Sequence, residues 1–398
     1  MQMERANFGS KLGVVLATVG SAVGLGNVWR FPYMTGENGG AAFLVVYALC
    51  VALIGIPCMV SEFIIGRSAQ ANTARAFTKM ADGRPWKWIG YVSIFTGFAI
   101  TCYYAIVSGW CFHYIFAPFA YDMSEPKQVT AHFKEFTSNP ITPLLWTLAL
   151  ILICHFIITR GVQKGIEKMS KFFMPMLFVL LVIIVIAACL LPNAMKGLEF
   201  LFLPDFSKIT PNTVLAAMGQ SFYSLSIGMG CVCTYASYFS RTTNLTQTAM
   251  QISILDTLVA VLAGMMIFPA AFAVGIRPDA GASLVFVTLP NVFNEAFSAM
   301  PIVGQIVSVA FYSLLSLAAL TSLMSLHEVA TAFIHEECNM SRQKAAIIVT
   351  AIAMVFGTFC SLSLGDWSWL TVGGMSLFDF FDYTTGQILL PIIGFLTC

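Results

Sequence analysis

Ten long apolar stretches succeed one another along the chain, at 11–36, 40–66, 88–118, 143–159, 168–191, 213–239, 246–275, 300–334, 343–363 and 376–397, separated by polar or Pro/Gly-rich breaks. A bilayer core about 30 Å thick needs about 20 apolar residues in helix, so the pattern predicts ten crossings and an all-α polytopic membrane protein. Two of the stretches make poor helices. The first holds Gly20-Ser21-Ala22-Val23-Gly24-Leu25-Gly26-Asn27 and the sixth Ser224-Leu225-Ser226-Ile227-Gly228-Met229-Gly230, each at mid-membrane depth. Runs of glycine and small polar residues favour breakage there, although one such run alone also suits a helix-packing seam. Each run opens a block of five spans, as an inverted five-plus-five repeat requires. The expected organisation is one domain over 1–398, with repeat one at about 11–191 and repeat two at about 213–397.

Breaking a helix in lipid frees N–H and C=O groups that each cost several kcal/mol unless something polar meets them. Half-helix N-termini suit an anion, and unwound carbonyls suit a cation. A zwitterionic amino acid accompanied by Na⁺ meets both needs better than a sugar or a nucleotide. In the eighth stretch Ala318, Thr321 and Ser322 share one helical face and offer hard oxygen ligands. Such hydroxyls also bond back to their own helix, and spacing does not choose between the two. Asp256, near the middle of the seventh stretch, is costly in lipid if unpaired and reads as a functional site, the alternative being a neutral, protonated Asp bonded within a helix seam. Glu62 reads as a buried, hydrogen-bonded packing residue. Arg30 either snorkels or pairs with Asp382 at the start of the tenth stretch.

Composition narrows the class further. The 398 residues are 58% apolar and 10% charged, against about a quarter charged in soluble domains. The net charge of +1 gives no reason to expect nucleic-acid binding. With the N-terminus inside, fourteen Lys and Arg fall in inner loops and five in outer ones, so the positive-inside rule predicts a cytoplasmic N-terminus in a multi-pass plasma-membrane protein. Of the eleven cysteines, those inside apolar runs read as reduced and structural, and the first residues lack a signal-peptide cleavage site. An intramembrane enzyme is disfavoured: there is no HExxH, no strand-associated GxSxG and no paired mid-membrane carboxylates. A sodium-dependent sensor or channel would use the same sites as a transporter.

The stretch GSKLGVVLATVGSAVGLGNVWRFPYMTGENGGAAF (9–43) closely resembles the neurotransmitter:sodium symporter family, particularly its bacterial amino-acid transporters. GQSFYSLSIGMGCVCTYASYFSR (219–241), RGVQKGIEKM (160–169), TLPNVF (288–293), AALTSLMS (318–325) and FDFFDY (378–383) extend the resemblance over nearly the whole chain. It implies two inverted five-helix repeats with unwound first and sixth helices, alternating-access import of an amino acid, and two sodium sites. The first site would use the Ala22 carbonyl, Asn27, Ser224, Asp256 and the substrate carboxylate. The second would use the Gly20, Val23 and Ala318 carbonyls with the Thr321 and Ser322 hydroxyls.

The resemblance also assigns Ser21, Ala22, Leu25, Gly26 and Tyr104 to the main-chain ends of the substrate. Ile100, Tyr223, Ser226, Met229 and Leu326 would line its side-chain pocket, which favours large hydrophobic or aromatic amino acids. Chloride-dependent members carry Asn at the Asp256 position and Ser four residues on, where this chain has Ala260, so chloride independence is expected. Arg30 and Asp382 resemble an outer gate, and Arg5 and Glu336, with Ser237, Tyr238 and Phe8, an inner one. Gly165 and Pro175 resemble an unwinding element on the inner release path. Members usually carry one or two helices after the tenth, in some cases tied to dimerisation, so the oligomeric state is left open.

Overall fold

The computed structural model describes residues 7–121, 125–273, 275, 284–298 and 300–398. Among them seven helices are individually long and apolar enough to cross a bilayer: Ala41–Ala69, Lys87–Tyr114, Thr142–Thr159, Val162–Cys189, Leu245–Ala273, Pro301–Glu337 and Arg342–Leu362. These are the second to fifth and seventh to ninth spans. The first span is broken into Lys11–Ala22 and Gly26–Glu37, bent by 51°. The sixth is broken too, into Pro211–Ser224 and Cys231–Ala236. The tenth runs through Leu377–Tyr383, Thr384–Leu389 and Leu390–Thr397, its middle piece π-helical. All ten predicted stretches therefore carry helix, and the two expected to break do so.

Local chemistry explains where these elements start. Ser10 caps the first span by accepting from the Gly13 N–H, and Thr210 caps the sixth ahead of Pro211. The fifth span begins at Val162 rather than 168, because its first turn is a π-helical segment carrying Lys164 and Glu167, charges that a hydropathy reading assigns to a loop. Hydropathy also passes over the short helices Thr73–Ala81, Pro126–Ser138, Ala194–Phe202 and Leu289–Ala296, and a small hairpin pairing Thr371 with Ser376.

The third and eighth spans form the centre, buried along most of their length. The fifth lies outside, where Phe172, Met176, Val179, Ile183, Ile186 and Leu190 recur every three or four residues as an exposed apolar stripe. In water such a stripe would be an aggregation liability; here it is the face that meets lipid.

Candidate functional site

The break in the first span is held open by named partners. Val23 is extended, and the next residues leave the helix. The carbonyl of Ser21 accepts from Ser226 Oγ at 2.9 Å and Ser322 Oγ at 3.3 Å, and that of Val23 from Ser322 Oγ at 3.2 Å. The Gly26 carbonyl accepts from Gln220 Nε2 at 3.0 Å. On the donor side, Gly24 N–H reaches Asn27 Oδ1 at 3.0 Å and Leu25 N–H reaches the Tyr104 hydroxyl at 3.2 Å. Groups that lipid could not satisfy are thus met by the third, sixth and eighth spans. A Cβ on residue 24 would lie 2.4 Å from Ser322 Oγ and 2.8 Å from the Tyr104 hydroxyl, so only glycine allows this approach.

The sixth-span break has one principal support. Glu62, from the second span, accepts from the Gly228 N–H at 2.7 Å and the Cys233 N–H at 3.2 Å. The backbone turns through positive φ at Ser226, Gly228 and Gly230. At Gly228 a Cβ would also meet the Leu390 carbonyl at 2.9 Å. The packing role expected for Glu62 is therefore specific: it caps the free N–H groups of a broken helix.

Between the two breaks lies a fully buried polar cluster. Asn27 Nδ2 donates to Asp256 Oδ1 at 2.7 Å and to Ser224 Oγ at 3.0 Å, and Ser224 Oγ donates to Asp256 Oδ2 at 2.7 Å. Tyr47 reaches the same carboxylate at 3.4 Å. Sequence reasoning named Asn27, Ser224 and Asp256; it missed Tyr47, whose hydroxyl inside the second span was the available signal. With the amide so turned, Asn27 Oδ1 accepts from the Gly24 N–H while its Nδ2 faces Asp256 and Ser224.

A narrow cleft adjoins the cluster. It is lined by the five side chains expected of the pocket, Ile100, Tyr223, Ser226, Met229 and Leu326, and by Ser21, Ala22, Gly26 and Tyr104. Leu25 presents its N–H to Tyr104 rather than lining the cleft. Ser322 and Ser325 also line it, and Ser325 had no sequence signal beyond its spacing from Ser322. Along the eighth span Thr321 bonds back to the Leu317 and Ala318 carbonyls at 3.1 and 3.0 Å, while Ser322 bridges to the first-span break. Gly20 packs against this group, its Cβ direction ending 3.3 Å from Thr321 Cβ.

The family model "Sodium:neurotransmitter symporter family" matches residues 5–138 and 128–398. The chain belongs to that family. It is 37% identical to a sodium-dependent transporter of Haemophilus influenzae, over 97% of this chain and 86% of that protein. It is 26% identical to the human sodium- and chloride-dependent GABA transporter 2, over 99% of this chain and 72% of that one. The crystal structure of MhsT in complex with L-phenylalanine superposes with a TM-score of 0.91 at 42% identity, covering 99% of this chain and 89% of MhsT. The protein is thus a multi-pass, sodium-dependent transporter of the symporter family, not an enzyme, with the fold of two inverted five-helix repeats.

The two ends of the symporter are bonded differently. On the side carrying the N-terminus, Glu328 is fully buried and forms a two-pronged ion pair with Arg342, one prong at 2.9 Å. Tyr238 donates to Glu328 Oε1 at 2.6 Å, and Phe8 packs edge-on against Tyr235 and Tyr238. Glu167 accepts from Gly9 N–H at 2.6 Å, Ser10 Oγ at 2.9 Å and Lys171 Nζ at 2.6 Å, tying the start of the first span to the fifth. Glu336 accepts from the Asn72 backbone and side chain at 2.9 and 3.1 Å. Arg5, its expected gate partner, lies outside the described residues.

Glu328 and Arg342 escaped the sequence reading, although an acid inside the eighth span was as visible as Asp256; Arg342 counted only as a loop charge. Gly165 sits in the π-helical turn of the fifth span, which is wound here, with Pro175 inside the helix that follows. On the far side, the Arg30 guanidinium lies 4.5 Å above the Tyr223 ring, and among the described residues its Nη1 has no hydrogen-bond partner. The structure does not bring Arg30 and Asp382 into an ion pair; the Asp382 carbonyl accepts from Thr385 instead.

Proposed function

We propose that this transporter carries large hydrophobic or aromatic amino acids inward together with Na⁺, by alternating access and without chloride. The observation that carries the reading is the buried Asp256 carboxylate, hydrogen-bonded to Asn27 and Ser224 beside a mainly apolar cleft. A fixed negative charge at this point supplies what a bound chloride would otherwise provide. One Na⁺ would be held by Ala22, Asn27, Ser224, Asp256 and the carboxylate of the substrate. A second would be held by Gly20, Val23, Ala318, Thr321 and Ser322, the hydroxyl of Thr321 turning away from its own helix. Coupling then follows from charge: Na⁺ and the substrate carboxylate each lower the other's desolvation cost, so each raises the other's affinity.

Ile100, Met229, Leu326 and the Tyr223 ring suit a bulky apolar side chain, with flexible Met229 able to repack around it. That MhsT is described with L-phenylalanine supports this size class. The excess of Lys and Arg at the N-terminal side supports a cytoplasmic N-terminus in the plasma membrane.

The test is uptake of labelled phenylalanine into proteoliposomes under a Na⁺ gradient, with chloride replaced by gluconate. The reading expects full uptake without chloride, competition by tryptophan and leucine, and none by glycine. Loss of most uptake in gluconate overturns chloride independence, and saturable binding without flux supports a sensor instead. The variant Asp256→Asn should lower uptake in gluconate roughly 100-fold, since removal of the buried charge costs about 3 kcal/mol.

A further inference from the structure

A second cavity lies far from the transport cleft, where the second, third and tenth spans end on the side carrying the N-terminus. Its empty volume is about 780 Å³. Its wall is apolar: Ile65 from the second span, Phe77 and Met80 from helix Thr73–Ala81, Ile89 from the third span and Leu396 from the tenth. Its lip carries one anion and one cation, Asp82 and Arg84, on either side of Gly83, with Trp86 beside them. Residues 82 and 83 both have positive φ, so the chain turns sharply there.

The charges around this lip are unevenly used. Between 67 and 88 the chain has five basic residues and one acid. Three of the five already have partners: Arg67 on the Thr243 carbonyl, Arg75 on Glu337, and Lys79 on the Ala69 carbonyl. Lys87 lies 5.6 Å above the Trp88 ring. Among the described residues the side chains of Asp82 and Arg84 make no ion pair or hydrogen bond, with each other or with anything else. Trp86 and Trp88 are both more than half exposed, as aromatic residues at a membrane–water boundary commonly are.

An apolar trough at the level of the span ends, with an unpaired cation and an unpaired anion on its lip, is complementary to one kind of molecule. We propose that it binds a phosphoethanolamine lipid, with the phosphate on Arg84, the primary ammonium on Asp82 and an acyl chain along Ile65, Phe77, Ile89 and Leu396. Guanidinium–phosphate and ammonium–carboxylate contacts are both charge-assisted hydrogen bonds. A quaternary choline headgroup cannot donate to Asp82, and an anionic glycerol headgroup brings no cation to it. The proposal is independent of which amino acid is transported.

Native mass spectrometry of the full chain, released from micelles holding equal amounts of phosphatidylethanolamine, phosphatidylcholine and phosphatidylglycerol, tests it. One phosphatidylethanolamine should be retained over phosphatidylcholine by about tenfold, the worth of one such hydrogen bond. Asp82→Asn should bring that ratio close to one while total lipid retention persists; Arg84→Gln should lower retention of all three. Lys196→Gln, at the opposite side, should change nothing. Both lip positions are solvent-exposed, and a single monodisperse peak for each variant verifies folding. Equal retention of the ethanolamine and choline lipids, preference for the glycerol lipid, a dimer that carries no lipid, or insensitivity to both lip variants overturns the proposal.

Discussion

The two ends of the molecule are closed by different physics. On the side carrying the N-terminus, buried Glu328 is bonded twice by a partly exposed Arg342, with Tyr238 on one prong, and Glu167 gathers three donors, from the entry to the first span and from the fifth. On the far side a guanidinium lies over an aromatic ring, and among the described residues one of its nitrogens is unbonded and the Asp382 carboxylate forms no ion pair. Removing one partner of a buried pair costs about 3–5 kcal/mol, whereas a cation over a ring contributes about 0.5–2 kcal/mol. The molecule is therefore latched at one end and only lightly covered at the other. A ligand arriving from the far side meets the weaker barrier first.

The largest way to break this contrast is Arg342→Met, which strands the Glu328 charge. It should raise thiol-reagent access to a cysteine introduced on the N-terminal side of the cleft and lower uptake by about 100-fold or more. Replacing both residues, as Glu328→Gln with Arg342→Met, should recover part of that loss, because no lone charge remains. Equal labelling of variant and parent would show that the pair does not hold this end shut. A smaller effect is expected from Glu167→Gln, which keeps the shape but weakens the bonds to Gly9, Ser10 and Lys171. Hydrogen exchange at residues 9–13 should quicken by about tenfold, the equivalent of one charged hydrogen bond. The smallest is expected from Tyr223→Phe, which preserves the ring under Arg30: uptake should stay within about threefold, while Tyr223→Ala should slow it about tenfold by removing the cover. A deep loss in Tyr223→Phe would mean that the hydroxyl, not the ring, does the covering.

The membrane architecture was legible because lipid imposes one strong rule, a long apolar run per crossing, and because two glycine-rich runs violate it at matching places. Asp256 was legible for the same reason: a lone acid at depth demands an explanation. What sequence did not yield follows from distance. Glu62 caps residues more than 160 positions away, and Gln220 reaches Gly26 across 194. The pairing of Glu328 with Arg342 needs a turn between spans that hydropathy treats as a boundary. The Arg30–Asp382 pair failed for a different reason: the Tyr223 ring offers the guanidinium an alternative seat that one-dimensional spacing cannot rank against a carboxylate.

The two interrupted helices look like mirror images in the sequence, yet their supports give them unequal mechanical standing. Glu62 accepts from two amides of the sixth-span break and so ties it to the second helix through one carboxylate. The kink in the first is steadied by hydroxyls and an amide from several neighbours, each on a different carbonyl or sharing one. One break is held by a carboxylate and the other by hydroxyls and an amide, so the pseudo-symmetry of the scaffold does not extend to how its two breaks are held.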